Sequence, residues 1–313
     1  MAQPGSALRS GRRGPQFESA YPDERVGDGN PEPSSTYPVA VPYGWPYAAL
    51  VLLQAAVIPL VRDPGLLPRI PRHPLLGLLP LVTIGGGVIA LGTIPGAVGA
   101  VTDLAALAVP PLALLAVLHV RRWALPLALV SPLLWLLAWR LPESGWTELA
   151  GDLLIVLAGV SLGRLTGWIA PRAALVVGVL VAMVVDIWQV LTVQVGPVAQ
   201  ALSAAAPPRG LPALQQLELL GASMGWGDVY LAAIVGAIVA ASVRATVSAA
   251  LATATAGLLL GLLFGTLDLL PATVPPTVGL IAAGVVERQH VAVWMRTATS
   301  RLKARRMPAD KEA

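Results

Sequence analysis

Two aspartates stand inside otherwise apolar runs, Asp186 in VLVAMVVDIWQVLTV and Asp228 in SMGWGDVYLAAIVGA. An acid at bilayer depth is costly and by default marks a functional site. Two carboxyl groups brought into contact titrate as a pair that shares one proton. The ionised member of such a pair deprotonates a water while the protonated member polarises a carbonyl, which is aspartic-protease chemistry and needs no cofactor. The other reading of the pair is structural, each carboxyl neutral and hydrogen-bonded to a neighbouring helix. Asp103, Asp152 and Asp268 fall at or near the ends of apolar runs, where water and headgroups are close, and are read as structural.

The elements that must position the two acids follow from composition. Hydrophobic residues make up 56% of the 313 and charged residues 12%, and the mean hydropathy is +0.72; these values describe a chain solvated mostly by lipid. A crossing helix needs about 20 apolar residues. Nine such runs stand out, approximately 45–61, 74–94, 97–118, 123–139, 148–168, 173–195, 221–242, 246–266 and 269–287. The expectation is an all-α, polytopic bundle of about nine spans in four parts. A disordered tail (1–44), rich in Pro, Ser and Gly, precedes spans one to five (45–172); spans six to nine (173–287) carry both acids, and a basic tail (288–313) follows. Tryptophans near run ends (Trp45, Trp123, Trp139, Trp146, Trp168) fit an interfacial belt.

Arg and Lys set the expected orientation. Arg62, Arg69, Arg72, Arg121, Arg122, Arg164, Arg172, Arg244 and the basic C-terminal tail fall on one side, against Arg140 and Arg209 on the other. The positive-inside rule then puts the N-terminus outside and the C-terminus in the cytoplasm. The net charge of +4 reports topology rather than nucleic-acid binding. In that frame a rise of about 1.5 Å per residue places Asp186 roughly 13 Å and Asp228 roughly 10 Å from the outer face. Their helix faces carry small residues, Gly178 and Ala182 beside Asp186, and Gly221, Gly225, Ala232, Gly236 and Ala240 beside Asp228. Such stripes let membrane helices approach closely, and the expectation is that these two bring the carboxyls together.

Other chemistries find little support. The chain has no cysteine, and its three histidines, His73, His119 and His290, flank different spans, so thiolate and histidine metal sites are not expected. The pattern GVSLG, Gly159 to Gly163, fits a nucleophile elbow, but Ser161 lies inside an apolar span with no histidine for a base.

Gly225-Trp226-Gly227-Asp228 matches the GxGD signature, and here the sequence resembles the intramembrane aspartyl proteases, the presenilin and signal peptide peptidase family. The resemblance covers roughly residues 173–286. It implies that Asp186, 42 positions upstream, is the partner aspartate, and that Pro271 and Ala272 match the first two residues of a Pro-Ala-Leu motif beside the catalytic pair. Val185 stands where the family usually has tyrosine, and Thr273 where it has leucine. It further implies roles for Gly225, Trp226 and Gly227 in shaping the site, substrates that are transmembrane or signal-peptide helices, and signal-peptide-peptidase-like orientation. Pro271, Pro275 and Pro276 lack backbone donors and either leave carbonyls that an unwound substrate strand can use or simply break and kink the entry of the last span. The GxGD segment also looks like that of prepilin leader peptidases. A transporter or proton pathway and a non-catalytic scaffold are the remaining readings.

Overall fold

Uninterrupted apolar sequence has one low-cost conformation in lipid, the helix, whose backbone groups satisfy each other. The computed structural model describes residues 44–61, 72–120, 129–140, 145–192, 194–207, 210–263 and 269–288. The N-terminal tail before Gly44, the C-terminal tail beyond Arg288, Asp268, His290 and residues 123–128 of the fourth predicted span lie outside them. So do Arg62, Arg69, Arg121, Arg122 and Arg209, on which much of the orientation argument rests.

Helix α1 covers Trp45–Leu60 and α2 covers Pro74–Thr93. Next come α3 (Ala97–Val120), α4 (Val130–Arg140), α5 (Gly145–Ile169), α6 (Arg172–Leu191) and α7 (Val195–Ala204). Strands β1 (Gln216–Leu219) and β2 (Ala222–Gly225) then pair antiparallel, Gln216 opposite Gly225 and Leu219 opposite Ala222. Helices α8 (Trp226–Val239), α9 (Val243–Gly261) and α10 (residues 274–288) complete the bundle. Among the described residues α2, α3, α5, α6 and α9 are long and apolar enough to cross a membrane, while α1 and α8 are apolar but shorter. The protein is a predominantly helical bundle of integral-membrane character.

Three expectations need correction. The chain is not wholly helical, because residues assigned to the start of the seventh span form β2. Helix α8 therefore begins at Trp226 and Asp228 lies in its first turn, not two turns into a span. Helix α7, after Asp186, lay unrecognised in the sequence. The prolines of the last run do not break a helix either: Pro275 and Pro276 occupy the first turn of α10, where a missing N–H costs nothing.

Helix α5 is the centre of the packing, touching α3, α4, α8 and β1. Its glycines Gly159, Gly163 and Gly167 recur every four residues and meet Val229, Ala233 and Ala237 of α8, so closely that an added Cβ would lie 2.8, 2.5 and 2.7 Å from them. The GVSLG segment is thus a helix-packing surface, and the Ser161 hydroxyl donates to the Leu112 carbonyl of α3 at 2.6 Å. The stripes beside the two acids face elsewhere than expected. Gly178 of α6 abuts the Gly77 backbone of α2, and a Cβ at Gly236 of α8 would lie 2.7 Å from the Ile58 carbonyl of α1. Arg72 and His73 bond the Trp168 and Ile169 carbonyls, so the start of α2 and the end of α5 share one end of the bundle. The hairpin meets α5 near its other end, through Glu148 and Asp152.

Gly163→Val is expected to destabilise the protein by about 1–3 kcal/mol, the usual cost of overpacking. Gly284→Ala, with nothing within 4 Å of the added Cβ, should instead be neutral or stabilising by up to about 1 kcal/mol. Thermal unfolding in detergent micelles checks both.

Candidate active site

A helix start leaves four backbone N–H groups without intrahelical partners, and both candidate acids are tied to such a start. At α8 the cap is Gly225, followed by Trp226, Gly227 and Asp228. A side chain at the third helical position can reach back toward the cap, and the Asp228 carboxyl lies beside Gly225. A Cβ on Gly225 would lie 3.1 Å from Asp228 Oδ2, so glycine keeps this return contact open. The GxGD pattern here spans the start of a helix and sets its carboxyl in the first turn.

At α10 the cap position is Thr273, whose carbonyl accepts from Thr277 N at 3.3 Å. Pro275 and Pro276 have no N–H to satisfy, and Val274 N donates to the Pro271 carbonyl at 3.2 Å. That leaves Thr273 N, which donates to Asp186 Oδ2 at 3.3 Å, and the Thr273 hydroxyl donates to the same oxygen at 2.7 Å. A cap threonine ordinarily turns its oxygen to its own helix; this one turns its hydroxyl to Asp186 on α6. The residue that departs from the Pro-Ala-Leu pattern is therefore the one that holds the acid.

Asp186 is buried, at 8% exposure, and Asp228 is half-buried. Their carboxyls are close enough to interact electrostatically. Both line one cavity of about 1110 Å³, bordered by α1, α2, α3, α5, α6, α7, α8, the hairpin and the segment before α10. Its other lining residues are apolar or uncharged, among them Val101, Leu104, Val198 and Leu202. Asp186 lies 14 positions beyond Arg172, about 21 Å along the helix, and Asp228 begins α8. Both acids therefore sit toward the hairpin end of the bundle.

Neighbouring elements hold this arrangement. Residues Val82–Gly86 of α2 take a π-helical turn, a form that recurs at functional sites. Its Gly85 packs against Val185, and its Gly85 carbonyl accepts from Gln189 Nε2 at 3.2 Å, one turn beyond Asp186. Gln54 of α1, fully buried, donates from Nε2 to the Asp228 carbonyl at 3.2 Å and to the Ala272 carbonyl at 3.0 Å. The hairpin turn has φ of 48° at Leu220 and 87° at Gly221. Positive φ at both central residues suits the twist of a two-residue hairpin but strains a leucine. Glu148 Oε2 of α5 takes the Leu220 N–H at 2.7 Å, and Asp152 Oδ1 takes the Glu218 N–H at 2.9 Å. The structural reading of Asp152 agrees with that contact; Asp103 is exposed on α3.

Of the sequence-predicted residues, Asp186, Gly225, Trp226, Gly227, Asp228 and Ala272 all line the shared cavity. Trp226 stacks on Tyr230 with centroids 5.3 Å apart, and the Tyr230 hydroxyl meets Thr166 of α5 at 2.9 Å. Pro271 serves the turn before α10 through its carbonyl. Sequence reasoning missed Gln54, the contact made by Thr273, and Glu148 of α5, which with Asp152 holds the hairpin. Comparison with protein-family models, with curated proteins and with solved structures finds no match to this chain.

Asp152→Ala removes the acceptor for the Glu218 N–H and is expected to lower stability by about 1–3 kcal/mol, read by thermal unfolding. Leu220→Asn, which tolerates positive φ at lower cost, is expected to raise stability by up to about 1 kcal/mol in the same measurement.

Proposed function

We propose that this chain is an intramembrane aspartyl protease of the presenilin and signal peptide peptidase type, with Asp186 and Asp228 as its catalytic pair. The observation that carries the reading is that two carboxyls from different helices share one large cavity in which they are the only acidic or basic side chains among the described lining residues. In the proposed reaction one carboxylate takes a proton from a water, whose oxygen attacks the scissile carbonyl, while the partner carboxyl polarises that carbonyl oxygen. The C–N bond then breaks, a proton passes to the departing amine, and the pair is left with one shared proton. No cofactor or metal enters. Gly225 and Gly227 give room at the acid, and Ala272 borders the space that substrate would fill.

The same reading includes nine spans, an outside N-terminus and a cytoplasmic C-terminus. An apolar, uncharged cavity suits the apolar residues of a transmembrane or signal-peptide segment. One observation favours the prepilin-leader-peptidase-like alternative: Asp228 lies in the first turn of α8, toward one end of the bundle rather than mid-helix. Substrates with a scissile bond near the membrane surface separate the two.

Reconstituted in bilayers with single-span and signal-peptide substrates, the wild type is expected to cleave within the apolar segment. Asp186→Asn and Asp228→Asn should each lower the rate by about 10²- to 10⁴-fold while thermal unfolding shows a folded protein. Ser161→Ala, which loses only the bond to Leu112, should retain activity, and a chelator should have no effect. Cleavage surviving Asp186→Asn would sink the two-aspartate mechanism.

A further inference from the structure

Gln54 is a half-satisfied polar residue in a helix that the sequence offers only as an apolar span. Its side chain is fully buried, its Oε1 has no hydrogen-bond partner among the described residues, and burying such an acceptor is unfavourable. What it does make are two bonds from one Nε2, to carbonyls 174 and 218 positions away in sequence. One carbonyl belongs to Asp228 itself. The other belongs to Ala272, the residue before Thr273, which grips Asp186 with its N–H and hydroxyl.

Followed atom by atom, these contacts form one chain. It runs from the Asp186 carboxyl to Thr273, through the peptide bond to Ala272, to the Gln54 amide, and on to the backbone of Asp228. Both bonds from Nε2 are short enough that the Asp228 and Ala272 carbonyl oxygens cannot be more than about 6.2 Å apart, the sum of 3.2 and 3.0 Å. The start of α8 and the turn before α10 are thus tied together by a residue on a third helix. We propose that Gln54 is a positioning residue that sets the spacing between the two acid-bearing segments, with Thr273 as the other end of the strap. Gln54 is not among the residues lining the cavity; it acts through Asp228 and Thr273. This role rests on the protease reading for its catalytic consequence, but the spacing itself does not.

Two readouts separate the inference from that reading. In the cleavage assay Gln54→Met, which keeps a straight side chain of similar size, is expected to lower kcat by about 10- to 100-fold with KM little changed, since small misplacements of reacting groups are costly. Thr273→Val should do the same and shift the pH profile, Thr273→Ser should restore most of both, and the Gln54→Met/Thr273→Val double variant should lose little more than either single variant. The second readout needs no activity. The chain has no cysteine, so Ala272→Cys and Asp228→Cys introduce the only thiols, and a short bifunctional thiol reagent reports their proximity. Adding Gln54→Met should lower the bridged fraction several-fold. Gln54→Leu serves as a second variant if the methionine form does not fold. Unchanged bridging overturns the inference, as does an unchanged kcat in an active enzyme; a wild type that cleaves nothing overturns the protease reading while the bridging result still decides the strap.

Discussion

A carboxyl group stays in an apolar cavity only if donors meet it, and this fold sets both of its cavity carboxyls against helix starts, with Asp186 drawing two donors from the start of α10. The orphan N–H groups of α8 and α10 would be a liability in lipid. Instead Thr273 N–H meets Asp186 at the start of α10, and the Asp228 carboxyl lies beside Gly225 at the start of α8. The helix-start dipole also favours negative charge there. Prolines at 275 and 276 remove two donors that would otherwise lack partners, which makes the start of α10 a complete account of its own backbone.

The remaining elements serve that arrangement at a distance. Glycines at four-residue spacing on α5 seat α8 against the centre of the bundle, and acids at the start of α5 hold the hairpin that leads into Gly225. The π-helical turn of α2 packs beside Val185 and receives Gln189. A strained Leu220 in the hairpin turn is the kind of local cost that persists where surrounding contacts over-determine it.

How much of this the sequence disclosed depended on the range of the interaction involved. Helices were legible because long apolar runs have a single solution in lipid, and Asp186 and Asp228 were legible because a charge interrupts those runs. The hairpin was not, since its strands are four residues each and its turn is Leu-Gly instead of the Asn-Gly that announces such turns. Its second strand was hidden inside a run hydrophobic enough to pass as a span. Gln54 left no local signal, because its partners are backbone carbonyls of distant segments. Thr273 read only as a departure from a motif until its hydroxyl was seen on Asp186. The small-residue stripes were visible, yet one-dimensional spacing could not say which helix each would face.

The central claim is that a water activated by Asp186 and Asp228 cleaves a peptide bond inside an apolar segment. The most direct test is single-turnover cleavage of a single-span substrate in oxygen-18-enriched water, with the new C-terminus read by mass spectrometry. One heavy oxygen in that carboxyl, at a bond within the apolar segment, is the predicted result. An unlabelled carboxyl, pointing to direct attack by an aspartate, or no cleaved product at stoichiometric enzyme would contradict it.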